Sequence, residues 1–225
     1  MSAPASDAPD ADDLVVEFHH VAKSFPRYHH LQGGLKGFLF NLPRAVKQLR
    51  ADRFVALRDV DFSVRRGEAV GVIGRNGAGK STLLALAAGV IRASAGEVIV
   101  RERPFPLLEL GAGFHPECTA TENVILNGML LGAPRRVLRA RVEEIIDFAG
   151  LAEFADQPVR TFSSGMLARL GFAVVANLDP KLLLIDEILA VGDYQFQAKC
   201  LSVMKGFKAR GCTILFVSHA MADVE

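Results

Sequence analysis

Short runs of consecutive apolar residues, each followed by polar or glycine-rich residues, dominate the pattern of this chain. Runs that are apolar throughout are typical of parallel strands buried on both faces. The predicted strands are 14–18, 54–64 (broken near Arg58 and Asp59), 69–73, 96–101, 182–185 and 213–217. Apolar residues at helical spacing predict helices over 83–88 and from 121 to about 151, with a helix start at Pro134. Strands that alternate with helices predict an α/β fold.

The segment between the strand at 69–73 and the helix at 83–88 reads GRNGAGKST. It fits G-x-x-x-x-G-K-[ST], a loop whose glycines let successive backbone N–H groups point into one concavity and cradle a phosphate chain. Lys80 adds a positive charge for the outer phosphates, Ser81 offers a hydroxyl to Mg²⁺, and Thr82 reaches the inner phosphates. The predicted nucleotide-binding residues are Gly74, Arg75, Asn76, Gly77, Ala78, Gly79, Lys80, Ser81 and Thr82, and Lys80 is also predicted to be catalytic.

Polar residues follow directly after two later apolar runs. Asp186 and Glu187 come after 182–185, and His219 comes shortly after 213–217. Because the carboxyl ends of parallel strands form the ligand-binding rim of an open sheet, we expect these groups beside Lys80.

The chemistry of these residue types predicts their roles at the rim. Asp186 should hold Mg²⁺ through water, and Glu187 should orient or deprotonate the attacking water. A buried carboxylate pair without a cation is costly, which favours a metal ion and phosphate nearby; the alternative is an exposed Asp-Glu turn. His219 is predicted to sense or position the γ-phosphate, and the alternative is a structural histidine.

A second small-residue turn precedes the acid-bearing strand. Ser163, Ser164 and Gly165 open a predicted helix, whose N-terminal N–H groups suit an anion. One nucleotide needs one such cradle, so a second cradle without its own lysine makes sense if it covers a nucleotide held by another subunit. The alternative is that Ser163 or Ser164 caps the helix.

Composition narrows the class of protein. The 225 residues suit one sizeable α/β domain, and a net charge of +1 gives no pull toward nucleic acid. The three cysteines are widely spaced and have no metal-binding pattern, which indicates a reducing compartment. No apolar stretch approaches the ~20 residues that span a bilayer, and residues 1–13 are predicted to be a disordered acidic tail rather than a signal peptide. We therefore expect a soluble, cytoplasmic protein unless a partner holds it elsewhere.

The order of the motifs resembles the nucleotide-binding domain of ATP-binding cassette (ABC) proteins. The motifs are GRNGAGKST, RTFSSGM, LLLIDE, AVGD and VSHA, and the resemblance covers roughly residues 14–225. It implies a P-loop NTPase core with a mostly parallel sheet, an antiparallel β subdomain and a helical signature subdomain at about 117–172. It also implies a head-to-tail homodimer with two ATP molecules in its interface, each contacted by Lys80 of one copy and by residues 163–165 of the other.

The resemblance also implies roles for individual residues. It identifies 162–166 as the signature motif, 190–193 as the D-loop and His219 as the switch histidine. Phe25 would be the aromatic residue that stacks on adenine, with Tyr28 as a weaker candidate.

Two departures from the family pattern narrow the subfamily. The signature reads Phe-Ser-Ser-Gly-Met instead of Leu-Ser-Gly-Gly-Gln, and the segment LLELGAGFHP stands where the family has its coupling-loop Gln. Both variants are similar to ABC subunits that export lipid-linked polysaccharide: O-antigen, capsule or teichoic acid. Glu109 is a candidate to replace the contact of the lost Gln with Mg²⁺ and water.

The segment 27–53 is longer than a cassette needs and is both basic and amphipathic. Such a segment suits a membrane surface or an anionic headgroup, and the alternative is a helix packed on the sheet edge with a solvated basic face. The pairs at 19–20 and 29–30 are histidines without convincing metal spacing, and we interpret them as surface residues.

The resemblance predicts an ATP-hydrolysing subunit that acts with a multi-spanning membrane permease at the cytoplasmic face of the inner membrane and drives lipid-linked polysaccharide across it. The alternatives are a soluble ABC protein of translation or DNA maintenance, and a nucleotide-binding regulator that does not hydrolyse. The sequence stops at Glu225, shortly after His219, so a truncated C-terminus is expected.

Overall fold

The computed structural model describes residues 13–26, 53–107, 111, 113–186 and 193–218. Seven strands lie in these ranges: β1 Leu14–Pro26, β2 Arg53–Arg65, β3 Ala69–Ile73, β4 Ala95–Val100, β5 Pro104–Leu107, β6 Leu182–Asp186 and β7 Thr213–Ser218. They form an antiparallel sheet in the order β2-β1-β4 and a parallel sheet in the order β3-β7-β6-β5. The predicted α/β fold, with a parallel core and a separate antiparallel sheet, is confirmed.

Five α-helices lie in the described ranges: α1 Lys80–Ala87, α2 Ala120–Leu130, α3 Arg135–Ala149, α4 Ser164–Ala176 and α5 Tyr194–Ala209. The predicted helical region from 121 to about 151 is two helices, separated by Gly132, which has a φ of 97°, and by Pro134, which caps α3. The helix start at Pro134 is therefore confirmed. Among the described helices, none is both long enough and apolar enough to cross a membrane.

Strands β1 and β2 differ from their predicted bounds. β1 continues beyond Phe18 to Pro26, and β2 runs through Arg58 and Asp59 without a break. Asp59 has a φ of 45° and His20 has a φ of 49°, and the pairing register of the two strands shifts between Phe18 and Val21. The polar residues at 58–59 therefore mark a bulge inside a continuous ladder, because a bulge absorbs extra residues while pairing resumes on both sides.

The prediction that β3 is a buried strand is wrong, although its bounds are right. Ala69 is exposed and Ile73 is 40% exposed, whereas Leu182, Leu183 and Leu184 of β6 are fully buried. β3 pairs with β7 on one side and has no second neighbour among the described residues, so it is the edge strand of that part of the sheet.

The alternating directions of β6 side chains explain its uniformly apolar sequence. Leu182 and Leu184 belong to a core cluster with α1 and the antiparallel sheet, and Leu183 and Ile185 belong to a second cluster with α4 and α5. A third cluster joins α2, α3 and α4. Both faces of β6 are therefore covered, as expected for a central parallel strand.

The three cysteines are free thiols. Cys200 and Cys212 are buried, and burial raises the pKa of each thiol to about 11. Cys118 is partly exposed and lies in the segment before α2.

Segments 27–53 and 1–13 lie outside the described residues, except at their ends. Arg53 is the first residue of β2, and the carbonyl oxygen of Asp13 accepts a hydrogen bond from Arg66 N at 2.9 Å.

Candidate functional site

The glycine-rich loop lies between β3 and α1, as predicted. Gly77 has a φ of 82° and Gly79 a φ of 96°, in the left-handed region where glycine is favoured. A Cβ atom on Gly79 would lie 2.6 Å from the carbonyl oxygen of Ala56 and 2.8 Å from Leu57 Cδ2. The sequence therefore needs glycine at 79 for two reasons: the backbone turn, and the close approach of β2.

Lys80 closes this loop from the inside. It is the first residue of α1 and only 8% exposed, and its Nζ donates to the carbonyl oxygens of Gly74 at 2.8 Å and Arg75 at 3.3 Å. The ammonium group is thus held within the loop by backbone carbonyls, in the position from which it can reach a phosphate chain.

A cavity of about 580 Å³ opens at this loop. This volume is within the range of small-molecule sites. The cavity is bordered by the loop and the start of α1, the end of β6 and the start of β2; its lining residues are Phe54, Ala56, Asn76, Gly77, Gly79, Lys80, Ser81, Thr82 and Asp186. Of the predicted loop residues, Gly74, Arg75 and Ala78 belong to the turn but not to this lining.

Asp186 shares the cavity with Lys80 and Ser81 because of strand order. β3, β7 and β6 are parallel neighbours, so the loop after β3 and the carboxyl end of β6 meet at one rim. A carboxylate and a hydroxyl are oxygen donors of the kind that Mg²⁺ prefers, so Ser81 and Asp186 fit the predicted metal site. Glu187, His219 and Glu109 lie outside the described residues.

Ser163 occupies the N-cap of α4. Its Oγ accepts a hydrogen bond from Met166 N at 3.2 Å, so the capping alternative is observed. Ser163 and Ser164 are exposed, and neither they nor Gly165 line the cavity at the loop of the same chain. The helix start is therefore accessible from outside this chain.

Two phenylalanines, Phe25 and Phe54, bear on the predicted adenine contact. Phe25 pairs with Phe54 across the β1–β2 ladder, and Phe54 rather than Phe25 is in the cavity lining. Lys23 Nζ lies 5.0 Å from the centroid of the Phe25 ring. Phe54 and Ala56 were missed by reasoning from the sequence, because their place in the lining depends on the close approach of β2 to Gly79.

Asn123 organises the segment before α2. Its Oδ1 accepts from His115 N at 2.7 Å, and its Nδ2 donates to the carbonyl oxygens of His115, Cys118 and Thr119 at 3.1, 3.0 and 3.0 Å. The side chain is fully buried. The Asn123 side chain thus fixes residues 115–119 to the start of α2. Thr119 and Glu122 form a capping box at that helix start.

His20 is at the surface, as predicted, and it pairs with two carboxylates at the bulge. Its Nδ1 lies 2.8 Å from Asp59 Oδ1 and 3.2 Å from Asp61 Oδ2. The hydrogen bond to Asp59, followed by the charge of Asp61, raises the pKa of His20 above its ordinary value.

This arrangement predicts a pH-dependent contribution to stability. The charged form of His20 is favoured in the fold, so the stabilisation is complete below the unfolded pKa of about 6.5 and is lost as pH rises through the higher folded pKa. An NMR titration of the imidazole should show the raised pKa, and Asp59→Asn should lower it. Asp156→Asn, a change at another exposed acid, should leave the titration unchanged; an equal response of His20 to both variants would contradict the assignment.

Comparison with known proteins identifies the family of the fold that carries the glycine-rich loop. A family model described as "ABC transporter" matches residues 57–190, more than half of the chain. Two solved structures share the fold with a TM-score of 0.70: a dimeric ATP-binding cassette in a post-hydrolysis state bound to ADP and Pi (21% identity, 92% of this chain and 89% of that one), and an ATP-binding subunit of an ABC transporter (24%, 93% and 81%). The chain therefore belongs to the ABC transporter family, and it is an ATP-binding and ATP-hydrolysing domain of that family.

The names of similar proteins are more specific than the description of the family. The chain is 53% identical over 211 residues to the O-antigen export system ATP-binding protein RfbB of Klebsiella pneumoniae, covering 94% of this chain and 86% of the relative. It is 45% identical to the protein of the same name from Myxococcus xanthus, covering 96% of this chain and 50% of the relative. It is 39% identical to the teichoic acids export ATP-binding protein TagH of Listeria monocytogenes serotype 4b, covering 95% and 62%. The resemblance to polysaccharide exporters that the signature and coupling-loop variants indicated is confirmed.

Proposed function

We propose that this chain is the ATP-hydrolysing subunit of an exporter that moves lipid-linked polysaccharide across the cytoplasmic membrane through a separate membrane permease. The observation that carries the proposal is the 53% identity to an O-antigen export ATP-binding protein over nearly the whole of this chain. Relatives named for teichoic acid export support the same class of cargo, a polymer built on a lipid carrier. These names favour an exporter over a soluble ABC protein or a regulator.

In this proposal the phosphates of ATP lie in the loop at residues 74–82, with Lys80 beside the outer phosphates. Ser81 and Asp186 would hold Mg²⁺, which neutralises charge on the phosphate oxygens when bound. Glu187 would accept a proton from the attacking water. The water oxygen bonds to the γ-phosphorus, and the bond from that phosphorus to the oxygen bridging it to the β-phosphate breaks. His219 would contact the γ-phosphate, and Phe25 would stack on the adenine base.

A second copy of the chain completes each site. The exposed start of α4, with Ser163, Ser164 and Gly165, would cover the nucleotide bound to the loop of its partner, and its N–H groups would face the phosphates. ATP binding thus closes a head-to-tail homodimer, and hydrolysis opens it. This motion acts on the permease from the cytoplasmic face of the inner membrane, with nucleic acid playing no part.

The Glu187→Gln variant tests the closed dimer. Slowed hydrolysis should trap the chain with ATP, so gel filtration should show a dimer with ATP and a monomer with ADP. Adding Ser164→Glu should abolish this dimer, because an acidic side chain suits the start of a helix but repels the phosphates of the partner's ATP. A dimer that survives Ser164→Glu, or a monomer in every state, would count against the shared site.

Cargo is tested separately in the host cell. Deleting the gene should remove polysaccharide from the surface and leave its lipid-linked precursor inside, and the wild-type gene, but not the Glu187→Gln gene, should restore export. Normal surface polysaccharide after deletion would contradict the proposed cargo while leaving the ATPase assignment intact.

A further inference from the structure

We propose that the outer face of α5 is a docking surface for the acidic N-terminal tail of the same chain, residues 1–13. Residues 1–12 lie outside the described part of the structure. The inference therefore rests on the exposed surface of α5, on the point where the tail begins and on the charges of the two partners. It is independent of the proposed function, because neither ATP nor a permease takes part in the contact.

The outer face of α5 is a single stripe of exposed side chains. Its members are Tyr194, Ala198, Leu201, Lys205 and Lys208. Their spacing of i, i+4, i+7, i+11 and i+14 places them on one side of the helix, and the opposite side packs into the core. Tyr194 is 86% exposed and Leu201 is 51% exposed. The stripe therefore has an apolar half at the start of α5 and a basic half at its end.

The basic half of the stripe has no acidic partner among the described residues. The sequence of α5 contains three lysines and no Asp or Glu, and neither Lys205 nor Lys208 forms an ion pair in the described ranges. The nearby carboxylate of Asp179 already lies 3.1 Å from Lys181 Nζ and 4.0 Å from Arg210 Nε. The tail has four aspartates and no lysine or arginine. The charges of the tail and of the stripe are therefore complementary.

The tail begins beside the basic half of the stripe. The carbonyl oxygen of Asp13 accepts a hydrogen bond from Arg66 N at 2.9 Å. The next residue, Gly67, lies against Gly211, since a Cβ on Gly67 would be 3.7 Å from the carbonyl oxygen of Gly211. Gly211 follows the end of α5, and its N–H donates to the carbonyl oxygen of Lys208 at 3.0 Å. The point of attachment thus places the tail next to the last turn of α5.

The order of residue types in the tail matches the order along the stripe. Read backwards from Asp13, the tail has its other aspartates within 7–12 and then the uncharged residues 1–6. Read backwards from its end, the stripe has two lysines and then Leu201 and Tyr194. An extended chain spans about 3.3 Å per residue, so the tail can cover the ~24 Å of the 16-residue helix. Because the tail is tethered, its effective concentration of roughly millimolar lets weak surface charge pairs hold it.

The absence of tryptophan from the sequence permits a local measurement of the contact. Leu201→Trp gives the chain a single indole in the stripe, and quenching by acrylamide measures the exposure of that indole. Deleting residues 2–12 should increase the quenching and shift the emission to longer wavelength, and high salt should do the same with the tail present. An unchanged signal after the deletion would overturn the proposal, whatever else binds this face.

Val90→Trp is the matched control for the probe. Val90 is 69% exposed and lies just beyond α1, away from the stripe. Its acrylamide quenching should be the same with and without residues 2–12. An equal response of the two probes to the deletion would show a general change in the protein and would overturn the docking surface.

Charge exchange tests whether the lysines hold the tail. In the Leu201→Trp protein, Lys205→Glu together with Lys208→Glu should release the tail and increase the quenching as the deletion does. Adding Asp10→Lys and Asp12→Lys should restore the protection, because the charges are complementary again. Failure of the second exchange to restore it would contradict the pairing of these groups.

Two exposed arginines elsewhere provide the control for charge. Arg58→Glu together with Arg92→Glu makes the same change in net charge and should leave the Leu201→Trp signal unchanged. Release of the tail by this pair would overturn the assignment to α5. None of these residues lines the cavity at the phosphate-binding loop, so unchanged ATP affinity verifies that each variant is folded. A negative result would remove the docking surface and leave the proposed function untouched.

Discussion

Replacing Lys80 by Ala should lower the affinity for ATP about 100-fold, which corresponds to about 2.7 kcal/mol, and should abolish hydrolysis. The variant removes the charge that faces the outer phosphates, and it also removes the donor that Gly74 and Arg75 carbonyls share. Isothermal titration with ATP and a phosphate-release assay measure the two effects.

Matched variants separate charge from folding. Lys205→Ala removes an exposed lysine from α5 and should leave both measurements unchanged. Lys80→Arg keeps the charge but changes its shape, so it should bind more weakly than the wild type and more tightly than Lys80→Ala. ATP affinity that is equal in the wild type and Lys80→Ala would refute the phosphate-binding role of the loop.

The second large effect is expected on stability, from Asn123→Asp. The change keeps the shape of the side chain and the acceptor for His115 N, but it replaces an amide that donates to three carbonyl oxygens by a buried carboxylate. Uncompensated burial of this charge should cost at least about 3 kcal/mol of the free energy of unfolding. Urea denaturation at neutral pH measures the loss.

Lower pH should recover part of this stability, because a protonated carboxyl can again donate one hydrogen bond. Gln157→Glu is the control, since it makes the same amide-to-acid exchange at an exposed residue of the neighbouring segment and should change stability by at most about 0.5 kcal/mol. A similar loss in both variants would mean that the buried network of Asn123 contributes little.

The features that sequence patterns predicted well are local ones. The phosphate-binding loop depends on glycines and one lysine within a few residues, and the apolar runs of β6 and β7 report burial on both faces. The helix start at Pro134 is local as well. Ser163 shows the limit of this reasoning, because a helix cap and an anion site require the same residue types at the same place.

The misses depend on contacts between distant segments. The burial of β3 depends on which strands flank it, which the run of residues 69–73 does not encode. Strand β1 extends to Pro26 because β2 pairs with it, although polar residues interrupt its apolar pattern. Phe54 lines the cavity because β2 passes close to Gly79. Asn123 holds the preceding segment by hydrogen bonds because that segment folds back onto its side chain.

The distribution of the three thiols makes the unmodified chain its own reporter of local opening. With their raised pKa, Cys200 and Cys212 resist alkylation at neutral pH, so a thiol reagent should react first at Cys118. The carbonyl oxygen of Cys118 is held by Asn123 Nδ2 and by Val159 N, each at 3.0 Å. Cys118 therefore serves as the reference thiol, and the slower labelling of the buried Cys200 and Cys212, with and without nucleotide, follows how often the structure around them opens and can be read by mass spectrometry without any mutation.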